Sequence, residues 1–253
     1  MKRAVLILCL AAITALTVNA QPDKPKDKSK APEATAATKA VSIKADAAPL
    51  DLAKAAIAAH GGDKFKAAKT IIQRGSVEAT APGSAQAVPA AYAVVTKGDK
   101  FRFEITSQFF NFLQIFDGEQ LYSSIARFDV PPLNKMGFIL LTRAEEKGYT
   151  VTALPDKKKR RGFRISSPDG YSSDYYIDPA NGQVLGYEAK FTVEGREITT
   201  AVENDKFRDV SGVLIPEKYS QRLQLGANTF YANFKAKEIL VNSEIADDVF
   251  VMK

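Results

Sequence analysis

The sequence predicts an α+β protein built on one long antiparallel β-sheet, and three observations carry this. First, from Thr70 onward apolar and polar residues alternate with period two. "FRFEI" sets Phe101, Phe103 and Ile105 against Arg102 and Glu104. "YEAKFTVE" sets Tyr187, Ala189, Phe191 and Val193 against Glu188, Lys190, Thr192 and Glu194, and "TFYANFKA" puts Phe230, Ala232, Phe234 and Ala236 on one side. Second, Asp117-Gly118, Asp169-Gly170 and Asn181-Gly182 separate the alternating runs, and such pairs suit tight hairpins because those turns need positive φ. Gly98-Asp99 and Glu194-Gly195 punctuate the chain similarly. Third, helical patterns are confined to a short stretch before the strands and one insertion among them. Hairpins join neighbouring strands without crossover helices, so a meander follows.

The chain begins with Lys2-Arg3, an apolar stretch from Ala4, and Val18-Asn19-Ala20 before Gln21. A positive start, an apolar middle and an A-x-A-like end read as a signal peptide over residues 1–20, cleaved near Ala20, so a periplasmic or secreted protein is expected. Its loss removes two basic residues and no acids, lowering the formal charge from +6 to +4. The one cysteine, Cys9, lies inside this leader. A lipoprotein acylation site is one reading; the bulky Leu8 and the five apolar residues after Arg3 favour an ordinary leader residue. The expected mature chain has no disulfide, thiol nucleophile or cysteine metal site.

Residues 21–49 are rich in Pro, Lys, Ala, Asp and Thr, with only Val41 and Ile43 to bury, and read as a flexible linker. The folded domain is expected over residues 50–253. Asp51 is placed to cap a helix "LAKAAIAAH" with Leu52, Ala55, Ala56 and Ala59 on one face, stopped by His60-Gly61-Gly62. Asp63 starts a second short helix. The Gly-Gly pair is not a phosphate cradle, since no strand precedes it and no GxxxxGK[ST] pattern is present.

"SQFFNFLQIFDG", from Ser107, poses a question. As a strand it sends Phe110, Phe112 and Phe116 one way and Phe109, Leu113 and Ile115 the other, so both faces need cover. The insertion "PPLNKMGFILLTRAEEKG", from Pro131, has helical composition and supplies Leu133, Met136, Phe138, Leu140 and Leu141. One or two short helices are expected there, as the cover for the Leu113/Ile115 face.

Chemistry-bearing sets are sparse. His60 is the sole histidine, so a Ser-His-Asp triad or a multi-histidine zinc site has little to draw on, and its place is that of a helix C-cap. The pairs Glu145-Glu146, Asp205 with Asp209, and Asp247-Asp248 read as solvated faces, although paired carboxylates leave no spacing signature. Asp178-Pro179-Ala180-Asn181-Gly182 lacks the alternating ligands of a calcium loop and reads as a hairpin turn. The basic run Lys157 to Arg161 reads as an exposed hairpin tip, with contact to anionic headgroups as its secondary reading. Export and the lack of interleaved aromatics argue against nucleic acid. No catalytic residues, metal site or cofactor are therefore assigned. What stands out is 15 Phe and 9 Tyr with no Trp, filling a core or lining a cavity.

The order of features resembles the bacterial outer-membrane lipoprotein-sorting carriers of the LolA/LolB-like fold. The resemblance rests on "AAHGGDKFKAAKTI", "FDGEQLY", "YYIDPANGQVLGYE", "DKFRDVSGVLIPEKY" and the closing "NSEIADDVFVM". It implies a strongly curved antiparallel sheet, an incomplete β-barrel, with helices covering the open, concave side and a hydrophobic cavity for a lipid or lipoprotein acyl chain. The carriers use an arginine near the mouth; Arg74, Arg102 and Arg127 are the candidates by position. Cavity-lining residues are then expected among Phe101, Phe103, Ile105, Phe110, Phe112, Phe116, Tyr187, Phe191, Phe230 and Phe234, in a monomeric carrier or sensor. The alternative is a protein-interaction module whose lumen its own side chains fill, and a concave pocket of ~300 Å³ or more would favour binding.

Overall fold

The computed structural model describes residues 43–124, 131–193 and 195–252. Two helices come first, α1 (Pro49–Ala59) and α2 (Asp63–Lys66). Five strands follow: β1 (Thr70–Thr80), β2 (Ala87–Lys97), β3 (Lys100–Thr106), β4 (Asn111–Phe116) and β5 (Leu121–Ser123). A connection carries 3₁₀ turns at Leu133–Lys135 and Ile139–Arg143. Then come β6 (Thr150–Lys157), β7 (Arg160–Ser166), β8 (Ser172–Ile177), β9 (Val184–Val193), β10 (Arg196–Val210), β11 (Val213–Leu225) and β12 (Asn228–Val241), and a 3₁₀ turn, Asp247–Phe250. The leader and most of the linker expected from the sequence lie outside the described residues.

All twelve strands form one antiparallel sheet in the order β5-β4-β3-β2-β1-β12-β11-β10-β9-β8-β7-β6. Every neighbouring pair is consecutive in sequence except β1 with β12, the first and last strands, which meet in the middle. The sheet is not closed, and its edges are β5 and β6. The connection between these two strands therefore has to pass from one edge to the other, and it does so across a face of the sheet.

Cross-strand partners share a face, so the register sorts the side chains. Phe101, Phe103 and Ile105 of β3 lie opposite Phe116, Gln114 and Phe112 of β4. The same face continues through Val94 and Tyr92 of β2, Val77 of β1 and Phe234 of β12. It passes on through Tyr219 of β11 and through Val202 and Tyr187 of β10 and β9 to Tyr175 and Phe163 of β8 and β7. We call this the inner face. Helix α1 packs on its β6–β7 end, where Leu52, Ala53, Ala56 and Ile57 join Phe163, Ile165, Tyr175 and Ile177 in the largest core cluster.

Two local expectations are corrected. Asp51 is not the cap of α1: Ala48 holds that place, Pro49 follows it, and Asp51 sits in the first turn, where its charge still suits the helix dipole. The buried stripe of α1 uses Ala53 and Ile57 in place of Ala55.

The second face of β4 is covered by a different element from the one expected. Leu113 and Ile115 pack with Ile72, Val95, Ile245, Val249 and Phe250, so the cover is the C-terminal tail. Lys97 donates to Ile245 O (2.8 Å) and Asp247 Oδ1 (2.9 Å), and Arg102 Nη1 donates to Val249 O (2.9 Å). The connection instead lies on the inner face. The reason is topological: a chain leaving edge β5 for edge β6 has its shortest path across the opening between them.

Candidate functional site

The connection is fastened to the inner face by its backbone at Gly137. Tyr175 Oη donates to Gly137 O (2.6 Å), and Gly137 N donates to Ser173 Oγ (2.8 Å). Gly137 has φ +69°, and a Cβ there would lie 2.7 Å from Cε2 of Tyr187. Only glycine lets the backbone rest this close on the ring while turning left-handed. On either side, Asn134 Nδ2 donates to Asp99 O in the β2–β3 turn (2.6 Å), and Lys135 pairs with Asp169 in the β7–β8 turn (2.8 Å). Arg143 pairs with Asp99 (3.2 Å) and Glu146 (2.8 Å). The connection thus ties turns from both halves of the sheet together.

Between it and the inner face lies a cavity of about 160 Å³, whose walls include Val94, Phe101, Phe103, Met136, Tyr187 and Phe234. Strands β3 and β9 both reach it although six steps of the sheet separate them. At about 4.8 Å per step a flat sheet would hold them roughly 29 Å apart, so the sheet is strongly curled around this point. The polar walls are Gln73, Thr96, Asn134, Thr200, Asn204 and Gln221; no charged side chain lines the cavity among the described residues. A second, more polar cleft of about 430 Å³ lies beyond Asn134 and Lys135, where Lys135 and Arg143 meet Asp169 and Asp99.

The ten aromatic and aliphatic residues singled out from the sequence separate clearly. Phe101, Phe103, Tyr187 and Phe234 line the cavity. Ile105 and Phe112 extend the same face beside it, with Phe103 and Phe112 in edge-to-face contact at 5.6 Å. Phe191 packs under Met136, and Phe116 lines the polar cleft with the Lys135 ammonium 5.6 Å from its ring. Phe230 falls on the inner face by register but is exposed, and Phe110 precedes β4. Of the arginine candidates, Arg74 pairs with Glu238, and Arg102 pairs with Glu104 and holds the C-terminal tail; both lie on the outer face. Arg127 lies outside the described residues. Asn134, Lys135, Gly137 and Arg143 escaped sequence reasoning because none stands in a recurring motif; the insertion's Gly137 was the one available signal.

His60 is a structural bolt. It is fully buried at the C-cap of α1, ringed by Phe65, Phe138 and Phe207. Its Nδ1–H donates to Leu214 O (2.7 Å), and Nε2 accepts from Val184 N (3.0 Å), which requires the neutral imidazole. Burial lowers its pKa to about 4. Next to it, Gly61 (φ +118°) approaches the β10–β11 turn so closely that a Cβ would lie 2.5 Å from Gly212 O. The tyrosines of the inner face are likewise held neutral. Burial raises Tyr92 to about 12 and Tyr175 well above the usual range.

Among solved structures, a LolA superfamily protein from Nitrosomonas europaea superposes with TM-score 0.50 at 14% identity, covering 81% of this chain and 98% of that one. A DUF1329 family protein from Desulfovibrio piger gives TM-score 0.50 at 8% identity, over 80% and 95% of the two chains. A putative outer membrane lipoprotein-sorting protein domain from Vibrio parahaemolyticus gives 0.45 at 10% identity, over 80% and 95%. No protein-family model and no curated protein sequence matches the chain. What the first two share with this chain is the fold.

Proposed function

We propose that this chain is a non-enzymatic, exported binding protein that takes an apolar ligand, the acyl chain of a lipid or lipoprotein, against the inner face of its sheet. The observation that carries this reading is that uncharged, largely apolar side chains from seven strands converge on one cavity. Each CH₂ buried there would contribute roughly 0.8 kcal/mol with no polar contact, so the site needs no catalytic group. The lipoprotein-sorting resemblance of the turn motifs and the LolA superfamily fold support the same ligand class. In this reading residues 1–20 are the leader, residues 21–49 the tether, and the concave side is covered by α1 and the 3₁₀ turns of the connection. The protein acts as a periplasmic monomer. Headgroup contact by the basic hairpin falls to Lys158 and Lys159, because Lys157, Arg160 and Arg161 pair with Glu188, Glu203 and Asp156.

The cavity's size supports a second reading. At about 160 Å³ it is smaller than the ~300 Å³ at which ligand sites begin, as in a lumen its own side chains fill. Under the first reading a long chain enters only when the connection lifts. Native mass spectrometry of protein purified from its own envelope, with uptake of a fluorescent fatty acid, decides between them. Co-purified lipid and saturable uptake are expected; absence of both would leave the protein-interaction module.

A further inference from the structure

One end of half the sheet carries no charge. Because neighbouring strands run antiparallel, the β1–β2, β3–β4 and β11–β12 turns all lie at the same end of the stretch β4-β3-β2-β1-β12-β11. Thr80, at the close of β1, is opposite both Ala87 of β2 and Tyr231 of β12, and Ala91 of β2 is opposite Thr106 of β3. A quarter of the chain is Asp, Glu, Lys or Arg, yet residues 79–96, 105–116 and 223–234 contain none. Buried strand positions explain only part of this, because the tips are exposed. They present Ala85, Ala87, Pro89, Phe109 (58%), Phe230 and Tyr231 (53%) among neutral amides and glycines. The β2–β3 and β4–β5 turns, at the opposite end, carry Asp99, Asp117 and Glu119. Two of the uncharged tips also satisfy their own backbones. Ser84 Oγ accepts from Gln86 N (3.1 Å), and Ser107 Oγ accepts from Phe109 N (3.1 Å) and Phe110 N (3.0 Å). Loss of water there strands neither a charge nor these amides.

We infer that this rim is a membrane-contact surface that seats in the headgroup region of an electrically neutral lipid bilayer. Aromatic rings among neutral polar groups suit that depth, whereas a charged side chain would have to give up water to enter it. A protein partner is steered and held in register by complementary charge, and this rim has none to offer. A bilayer demands no register, only uncharged surface that dehydrates at little cost. The inner face also leads to the rim, since Phe234 on the cavity wall is followed along β12 by Ala232 and Phe230 on the same side. The inference goes beyond the ligand reading and stands without it, because it concerns the outside of the rim and not the content of the cavity.

The test is cosedimentation of the full mature chain with vesicles of pure phosphatidylcholine and with vesicles containing phosphatidylglycerol, at low and high salt. Binding to the neutral vesicles is expected, with less than about a twofold change as salt is raised. Phe109→Ser combined with Tyr231→Ser should weaken it at least about tenfold, and both side chains are exposed, so the fold is not at stake. Ala85→Glu, which sets one charge on a tip, should weaken it as well. Lys158→Glu combined with Lys159→Glu should leave neutral binding unchanged. Failure to bind neutral vesicles would overturn the inference, and so would binding that the rim variants leave intact. Binding confined to phosphatidylglycerol vesicles and lost in the lysine variant would move the contact to the basic hairpin. Self-association that the rim variants abolish, without vesicle binding, would give the rim to a second copy of the chain. None of these outcomes bears on acyl-chain uptake, which the mass spectrometry and fluorescent fatty acid read separately.

Discussion

His60 and Leu214 exchange two hydrogen bonds across the core: the His60 Nδ1–H donates to Leu214 O at 2.7 Å, and Leu214 N donates to His60 O at 3.1 Å. With the third bond, from Val184 N to Nε2, one side chain joins the end of α1 to the starts of β9 and β11. Residues 177–183 and 209–218, the turn motifs "IDPANGQ" and "DVSGVLIPEK", thus both carry the chain into strands whose first residues meet this histidine.

The first prediction follows from the acceptor role of Nε2. The folded pKa of about 4 lies below the ordinary histidine value of 6.5, so the fold favours the neutral ring. That contribution is fully present above pH 6.5 and is lost progressively as pH falls towards 4. It amounts to about 3 kcal/mol, at roughly 1.4 kcal/mol per pKa unit. Carboxylates with lowered pKa, such as Glu217 beside Arg208, act below their usual value of 4.5 and so leave this window largely to His60. Urea denaturation between pH 7 and 4.5 should show the decline, and His60→Gln should be less stable at pH 7 with most of the slope gone. A wild-type slope unchanged by the substitution would contradict it.

The second prediction concerns the outer face. Phe250 is 1% exposed and closes the cluster over Ile72, Val95 and Ile115. Phe250→Ala should cost about 3–5 kcal/mol, as for other buried phenylalanines. Deleting residues 247–253 should uncover the apolar outer face of β2–β4, read as increased binding of an apolar dye and as aggregation on mild heating. Dye binding equal to that of the intact chain would show that this tail is dispensable.

These features differ in how far the sequence reveals them. Strands such as "FRFEI" and turns such as Asn181-Gly182 are local patterns with a fixed physical period, and the sheet follows from them directly. The C-terminal cover does not, because a single 3₁₀ turn carries no periodicity and Ile115 and Phe250 are far apart in sequence. His60 was readable as a helix cap; its partners 124 and 154 residues away were not. Asn134 and Gly137 gain their meaning only in the structure, because nothing in "PPLNKMG" shows that this stretch comes to rest on Asp99 and Tyr187.

The third prediction tests the fastening of the connection. Tyr175 is fully buried and its hydroxyl donates to Gly137 O at 2.6 Å. Tyr175→Phe keeps the ring stacked on Phe163 but removes one of the two donors to that carbonyl, leaving Leu140 N (3.2 Å), at a cost of about 1 kcal/mol. Hydrogen exchange should accelerate most at the amides of residues 137–144, with β10 and β11 little changed. Uniform acceleration over the whole sheet would instead mean that the connection and sheet open together.

The fourth prediction separates two costs at Gly137. Alanine there must adopt φ +69° and place its Cβ 2.7 Å from the Tyr187 ring. The backbone cost is about 1 kcal/mol, and displacing the ring adds about as much again, so Gly137→Ala should lose about 2 kcal/mol in all. In a Tyr187→Ala background the clash is gone and only the backbone cost remains, so the loss should fall to about 1 kcal/mol. Because the ring and the glycine share one contact, the coupling energy of this cycle measures how firmly the connection is seated on the inner face. An additive double mutant would mean that the connection does not rest on Tyr187 in solution.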